Sequence, residues 1–178
     1  MILSGLFAAL TAAGAFLKIP FYPVPFTLQT FFAALAGLAL PPRWAAMSQL
    51  TYLIIGLIGV PVFALGGGIG YILQPTFGYL LLLPLSAYTI SFLMSHTRNT
   101  SFCRIVIYVA AGLFLTLLGG ALWLYVHFEY IIRKDVVFWQ TLYSGAAIFL
   151  PSMILKAVVA GYLWKVLRKR NHLFYSSV

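Results

Sequence analysis

The sequence predicts an all-α membrane protein: six transmembrane helices in a bundle, both termini cytoplasmic, with structured loops on the outer side. Three observations carry this. Of 178 residues, 63% are hydrophobic and only 7% are charged, against about 25% charged in a soluble domain. The apolar residues fall into runs near the roughly 17–25 residues that cross a bilayer. The charges collect at the ends of those runs. The size fits one integral membrane domain over residues 1–178, with a basic cytoplasmic tail from about residue 165.

The net charge of +9 comes from eleven Lys/Arg against two acids. In a soluble chain that balance would suggest nucleic acid. Here the bases are few and sit at segment ends, so orientation in a membrane explains them and no nucleic acid partner is expected. Cys103 is the only cysteine, which excludes an internal disulfide.

In chain order, Met1–Leu17 forms the first span. It has no basic leader region and no cleavage site, so it reads as a helix that stays rather than a signal peptide. Lys18–Phe26 is a stiff loop, because Pro20, Pro23 and Pro25 fix φ and lack N–H groups. Thr27–Leu40 is a short second helix. Pro41-Pro42-Arg43 is a turn, and Trp44–Val60 the third helix. Pro61–Thr76 is a glycine-rich loop. Phe77–Leu93 is the fourth helix, with a kink expected at Pro84. Ser95–Arg104 is a polar connector, and Ile105–Val126 the fifth helix. His127–Asp135 holds both acids, Glu129 and Asp135. Val136–Leu150 is a short interfacial helix with Trp139 and Tyr143 at headgroup level. A break follows, because Pro151 is tolerated in a first helical turn and costly inside a helix. The sixth span is Pro151 to about Leu167.

These spans place Arg43, Arg98, Arg104, Lys165, Arg168, Lys169 and Arg170, seven bases, on one side; Lys18, Arg133 and Lys134, three, lie on the other. The first side is cytoplasmic. The proline loop, the glycine loop and the segment before Pro151 then share the outer face. Irregular backbone at membrane depth survives only where protein or a polar cavity satisfies it, so these loops point to a cavity open to the outside.

Lys156 is the sharpest single signal, the only charge between Val136 and Trp164. It lies roughly 7–8 Å below Pro151 at about 1.5 Å per residue. A lysine at a span centre costs about 2.5–3.5 kcal/mol, less near the ends. No acid lies in any span to pair with it, so an anionic ligand is the economical partner; snorkelling to the outer interface is the other reading. Thr27, Gln29 and Thr30 follow the proline loop and could hydrogen-bond a polar ligand head, or Thr27 could cap the second helix. Gln74, Thr76 and Tyr79 flank the fourth helix in the same way, beside glycines that permit close backbone approach. Gly66-Gly67-Gly68 with Gly70 lacks the lysine and hydroxyl residue of a phosphate loop and reads as a flexible outer lid or a plain turn. On the first helix Ala8, Ala9, Ala12 and Ala13, with Gly5 a turn earlier, form a flat small-residue face. Its contact is either internal or with a partner subunit. His96, His127 and His172 show no metal-ligand spacing, no span holds a carboxylate pair, and no nucleotide-binding motif is present. No metal, cofactor or enzymatic activity is expected, and any ATP use belongs to another chain.

Several strings in order resemble a known family: Pro23-Val24-Pro25-Phe26-Thr27-Leu28-Gln29-Thr30, Ala36-Gly37, the run Gly56–Phe63, and Gln74-Pro75-Thr76-Phe77-Gly78-Tyr79-Leu80. They are similar to the BioY biotin transporters, the substrate-binding S components of energy-coupling factor transporters. The resemblance runs from about Gly5 to Leu163 and is dense between Ile19 and Leu83. It implies a six-helix, multi-pass cell-membrane subunit that binds biotin from outside. It implies a transmembrane coupling protein and ATPase subunits as partners, with Ala8, Ala9, Ala12 and Ala13 as the docking face. It matches Lys156 to the lysine of a Pro-Gly-Asp-x-x-Lys signature, in which this chain has Ser152 and Met153 for the Gly-Asp pair. In a Gly-Pro-Thr-Gly-Gly string, Gln74 and Phe77 replace glycines. On this reading Lys156 meets the biotin carboxylate. Thr27, Gln29, Gln74, Thr76 and Tyr79 are candidates for its polar head, and Gly68 and Gly70 belong to the lid. The orientation of biotin stays open. An S component for another vitamin or a biotin precursor, a membrane enzyme, and a ligand-free scaffold subunit are the rival readings.

Overall fold

The computed structural model describes residues 2–22, 24–97 and 101–175. Pro23 of the proline loop and Arg98 of the cytoplasmic bases lie outside them, as do the side chains of the tail bases Lys169 and Arg170. The described chain is helical almost throughout. Helix α1, Ile2–Phe16, is followed by a two-residue strand β1, Lys18–Ile19, which pairs antiparallel with β2, Phe26–Thr27. Lys18 sits opposite Thr27 and Ile19 opposite Phe26. The proline loop is therefore a closed hairpin. Thr27 belongs to its ladder and not to the second helix, so the expected start at Thr27 moves to Gln29: α2 is Gln29–Ala39. The Leu28 N–H, just ahead of α2, donates to the Gly14 carbonyl at 3.1 Å and so satisfies an orphan acceptor at the end of α1.

Helix α3 spans Pro42–Leu57, with proline in its first turn where a missing N–H is harmless. Beyond it the glycine loop folds back instead of hanging free. Phe63 and Gly66 exchange backbone hydrogen bonds at 2.8 and 3.2 Å, and the Gly68 N–H donates to the Gly56 carbonyl at 2.7 Å. Gly66 and Gly68 have φ of 118° and 98°, a conformation that glycine adopts without steric cost. The Phe63 ring fills the notch at Gly56: a Cβ there would lie 2.0 Å from the ring. A single 3₁₀ turn, Ile69–Leu73, then leads to α4, Phe77–Leu81.

The expected fourth helix is two pieces. Helix α4 stops at Leu82 and α5 runs Leu83–Ser95 with Pro84 in its first turn, so the kink expected at Pro84 becomes a break. Helix α6, Phe102–Val126, begins three residues before the expected Ile105 and ends in one π turn, His127–Ile131. The interfacial segment is α7, Phe138–Gly145, followed by a 3₁₀ turn and by α8, Leu150–Tyr175. The break before Pro151 is present, and α8 continues past the expected end at Leu167.

Helix α5 packs on α2, α3 and α6, while α8 packs on α6 and α2. Missing side chains set these distances. Cβ atoms at Gly37 of α2 and Gly112 of α6 would lie 2.8 and 2.4 Å from Ile90 of α5. Small residues permit such close approach where no hydrophobic force separates helices from lipid. Thr11 of α1 and Gln49 of α3 are fully buried and joined by a 3.2 Å hydrogen bond. Large apolar side chains such as Leu6, Ile54, Ile107, Phe114 and Tyr162 point outward, as a lipid-facing surface requires. Among the described residues three stretches are long and apolar enough to cross a membrane: Phe77–Ser95, Phe102–Ile131 and Phe138–Arg168. Helices α1 and α2 are apolar but shorter.

Candidate functional site

The hairpin, the glycine loop and the start of α8 meet at one end of the bundle over a half-enclosed cavity. Its non-atom space, open mouth included, is about 720 Å³, within the range of small-molecule sites. The walls come from α2, α4, α5, α6 and α8, and the roof from residues 24–27, Ala64 and Tyr71.

Apolar lining dominates. Leu80, Leu83, Leu113 and Leu117 form the sides, flanked by buried cores around Ile90 and Leu124. Aromatic rings gather at the mouth: Phe26 and Phe149 lie 4.5 Å apart between centroids, with Phe21 5.3 Å from Phe26 and Tyr79 6.2 Å from Phe149. Such edges and faces suit a compact, partly apolar ring system.

The polar lining is sparse and mostly tied down. Lys156 follows the helical stripe Ser152, Met153, Lys156, Ala157, Ala160, and Ala157 and Ala160 of that stripe are fully buried. Its side chain therefore enters the bundle, and Nζ donates to Thr30 Oγ1 at 3.0 Å in place of reaching the headgroups. Among the described residues no carboxylate pairs with it. Thr27 Oγ1 donates to Gln29 Oε1 at 2.8 Å, Gln29 Nε2 to Tyr52 OH at 2.5 Å, and Tyr52 OH to the Val62 carbonyl at 3.1 Å. That relay ties hairpin, α2, α3 and glycine loop together, and it leaves Gln29 one N–H and one lone pair. Thr76 Oγ1 donates to Tyr71 OH at 3.0 Å. Burial holds the Tyr71 phenol above its ordinary pKa, so it serves as a neutral hydroxyl. Tyr79 OH donates to the Gly145 carbonyl at 2.6 Å, and its ring fits against Gly120, where a Cβ would lie 2.1 Å from it. Lys18 Nζ donates to the Ala64 carbonyl and so joins the two halves of the roof.

Of the residues marked in the sequence, Thr27, Gln29, Thr30, Thr76, Tyr79 and Lys156 come together around this cavity. Gln74, Gly68 and Gly70 do not line it. The Gln74 side chain is exposed, while its backbone is engaged: its N–H donates to the Tyr71 carbonyl at 2.9 Å, and its carbonyl accepts from Trp123 Nε1 at 3.0 Å. Gly68 and Gly70 shape the turn beneath which Tyr71 enters the roof. On α1, Ala8 is buried in the core and Ala12 packs against it, while Ala9 and Ala13 face outward with Gly5. The sequence reading missed Tyr71, Phe149, Ser152 and Thr116. Thr116 is 1% exposed, and its hydroxyl has no hydrogen-bond partner among the described residues.

Apolar helices thus surround a cavity with one ammonium, a few hydroxyls and an aromatic mouth. The sequence profile of the BioY family matches residues 1–172, and the chain belongs to that family. A probable biotin transporter BioY of Lysinibacillus sphaericus is 44% identical over 126 residues, 71% of this chain and 64% of that protein. A biotin transporter BioY of Thermotoga maritima is 37% identical, over 63% of this chain and 64% of its own length. These two matches thus span less than two thirds of each relative. A probable biotin transporter BioY of Bacillus subtilis is 32% identical over 89% of this chain and 84% of that protein. A crystal structure of the S-component for biotin from an ECF-type ABC transporter superposes with a TM-score of 0.81 at 27% identity, covering 94% of this chain and 89% of that one.

Proposed function

We propose that this chain binds biotin from outside the cell and serves as the S component of an energy-coupling factor transporter. The observation that carries the reading is the Lys156 ammonium, held inside a cavity with a threonine hydroxyl and, among the described residues, no acid. Membership of the BioY family supports biotin as the acid it meets. Biotin supplies a carboxylate for Lys156, fused rings for the Phe26–Phe149 mouth, and an uncharged urea for the remaining polar groups. The same reading gives the chain six spans with both termini cytoplasmic. Helices α1, α2 and α3 cross as short helices, and the seven bases set the inner side. A transmembrane coupling protein with ATPase subunits then drives release inward, docking on the outward Ala9–Ala13 face of α1. The chain performs no chemistry on its cargo.

The test is a ligand panel on purified protein. Biotin raises the melting temperature, while thiamine and riboflavin leave it unchanged, since neither carries a carboxylate. A shift with another vitamin and none with biotin would transfer the same scaffold to a different cargo. No shift with any of them would leave a subunit without a ligand.

A further inference from the structure

Among the polar side chains lining the cavity, Thr116 stands apart. It sits on α6 opposite the Lys156 stripe of α8, is 1% exposed, and has no partner for its hydroxyl among the described residues. A buried threonine in a helix normally has an outlet: its hydroxyl donates to the carbonyl four residues back. The buried Thr11 and Thr141 do so in this protein, at 2.8 and 3.2 Å. The carbonyl of Gly112 is available to Thr116 in the same way, and Thr116 does not use it. An unmade hydrogen bond in an apolar setting is costly. Ser86 Oγ, His127 Nδ1 and Trp164 Nε1 are also buried without partners, yet none of them lines the cavity. Thr27, Gln29, Thr30, Thr76 and Tyr79 line it and already have protein partners. Among the described residues Thr116 alone combines full burial, an unspent hydroxyl and a place on the wall.

We infer that Thr116 Oγ1 is a ligand-contacting group that hydrogen-bonds the uncharged polar end of the bound acid. This rests on the biotin reading above and deepens it. A hydroxyl offers one donor and two acceptor lone pairs, so it serves either the carbonyl or an N–H of a urea. Lys156 holds the carboxylate, and Thr116 recognises the other end, so the two residues fix which way round the molecule sits.

The test uses full-length protein in detergent with Thr116→Val, which keeps the shape and removes the hydroxyl, and Thr116→Ser, which keeps the hydroxyl. Binding of biotin and of desthiobiotin is titrated, and melting is recorded without ligand. Thr116→Val is expected to weaken both compounds at least fivefold and equally, because both carry the urea. Thr116→Ser stays within about twofold of wild type. Without ligand, the valine variant melts no lower than wild type, since it loses an unsatisfied polar atom. Unchanged affinity for both compounds in the valine variant overturns the assignment and leaves the biotin reading intact. So does a lower melting temperature with unchanged affinity, which marks a structural hydroxyl. A loss confined to biotin also overturns it, since the group sensed would then be the thioether ring. A wild-type protein that binds neither compound overturns the biotin reading and this assignment with it.

Discussion

The ammonium of Lys156 donates to one hydroxyl and has two further protons without a partner among the described residues. Removing it therefore has two effects of opposite sign. Lys156→Met keeps the length of the stem and deletes a charge held between helices, so the ligand-free protein melts at the same temperature or higher. Its affinity for biotin falls by about tenfold to a hundredfold, the equivalent of a charge-assisted hydrogen bond of about 1.5–3 kcal/mol. Titration and melting of one purified sample decide the matter, and unchanged affinity would remove Lys156 from the site. Tyr79→Phe tests the wall: the Gly145 carbonyl loses its 2.6 Å donor, and about 1–3 kcal/mol of stability goes with it, read from a shifted melting curve. At this scale the sequence was legible where a residue was chemically alone. Lys156 announced itself as one charge in a long apolar run. Thr116 did not, because a threonine in an apolar helix has the same letter whether its hydroxyl bonds its own backbone or stays unspent. Gln74 failed for a related reason: the chain engages its carbonyl and turns its amide out.

Elements, in turn, are joined through absences of side chain. Gly56 exists as a notch for the Phe63 ring, and the Gly68–Gly56 hydrogen bond holds the loop in that seat. Gly56→Ala puts a methyl where the ring is and unseats the glycine loop from α3. The expected cost is about 1–3 kcal/mol, the usual range for overpacking. Because Ala64 and Tyr71 of that loop roof the cavity, bound biotin also dissociates faster. Melting and a chase of radiolabelled biotin measure both effects; a normal off-rate would show that this loop does not retain the ligand. Breakers in the sequence marked where helices stop, at Pro20 and Pro25 and again at Gly66–Gly68. They did not disclose how the gaps close. Strands of two residues, Lys18–Ile19 and Phe26–Thr27, are too short for any periodic signal. The break at Leu82 lies inside an apolar run whose one breaker, Pro84, suggested only a kink; the structure instead starts a new helix with that proline in its first turn.

Over the whole molecule, the roof and the cavity occupy one end and Arg43, Arg104 and Cys103 the other. In a Cys103→Ser background, single cysteines at the exposed positions Tyr22 and Ile69 are expected to react with an impermeant maleimide on intact cells. The native Cys103, exposed at the start of α6, reacts only after permeabilisation. The reverse pattern would invert the protein in the membrane. Helix α1 offers a second test at this scale, since Ala9 and Ala13 face outward while Ala8 is buried. Ala9→Trp leaves biotin binding by purified protein unchanged and abolishes uptake into cells; preserved uptake would move the docking face elsewhere. Membrane class and the grouping of loops at one end were readable from charge and from Pro/Gly placement alone. Which alanines turn inward was not, because the two polar residues of α1, Ser4 and Thr11, mark a face without saying whether it meets protein or water; they are buried on the side of Ala8. The bond between Thr11 and Gln49, shut away from lipid and water alike, has a mechanical corollary. It bolts α1 to α3; the hairpin leaves the first of these helices and the glycine loop the second. Both halves of the cover thus ride on a single slab.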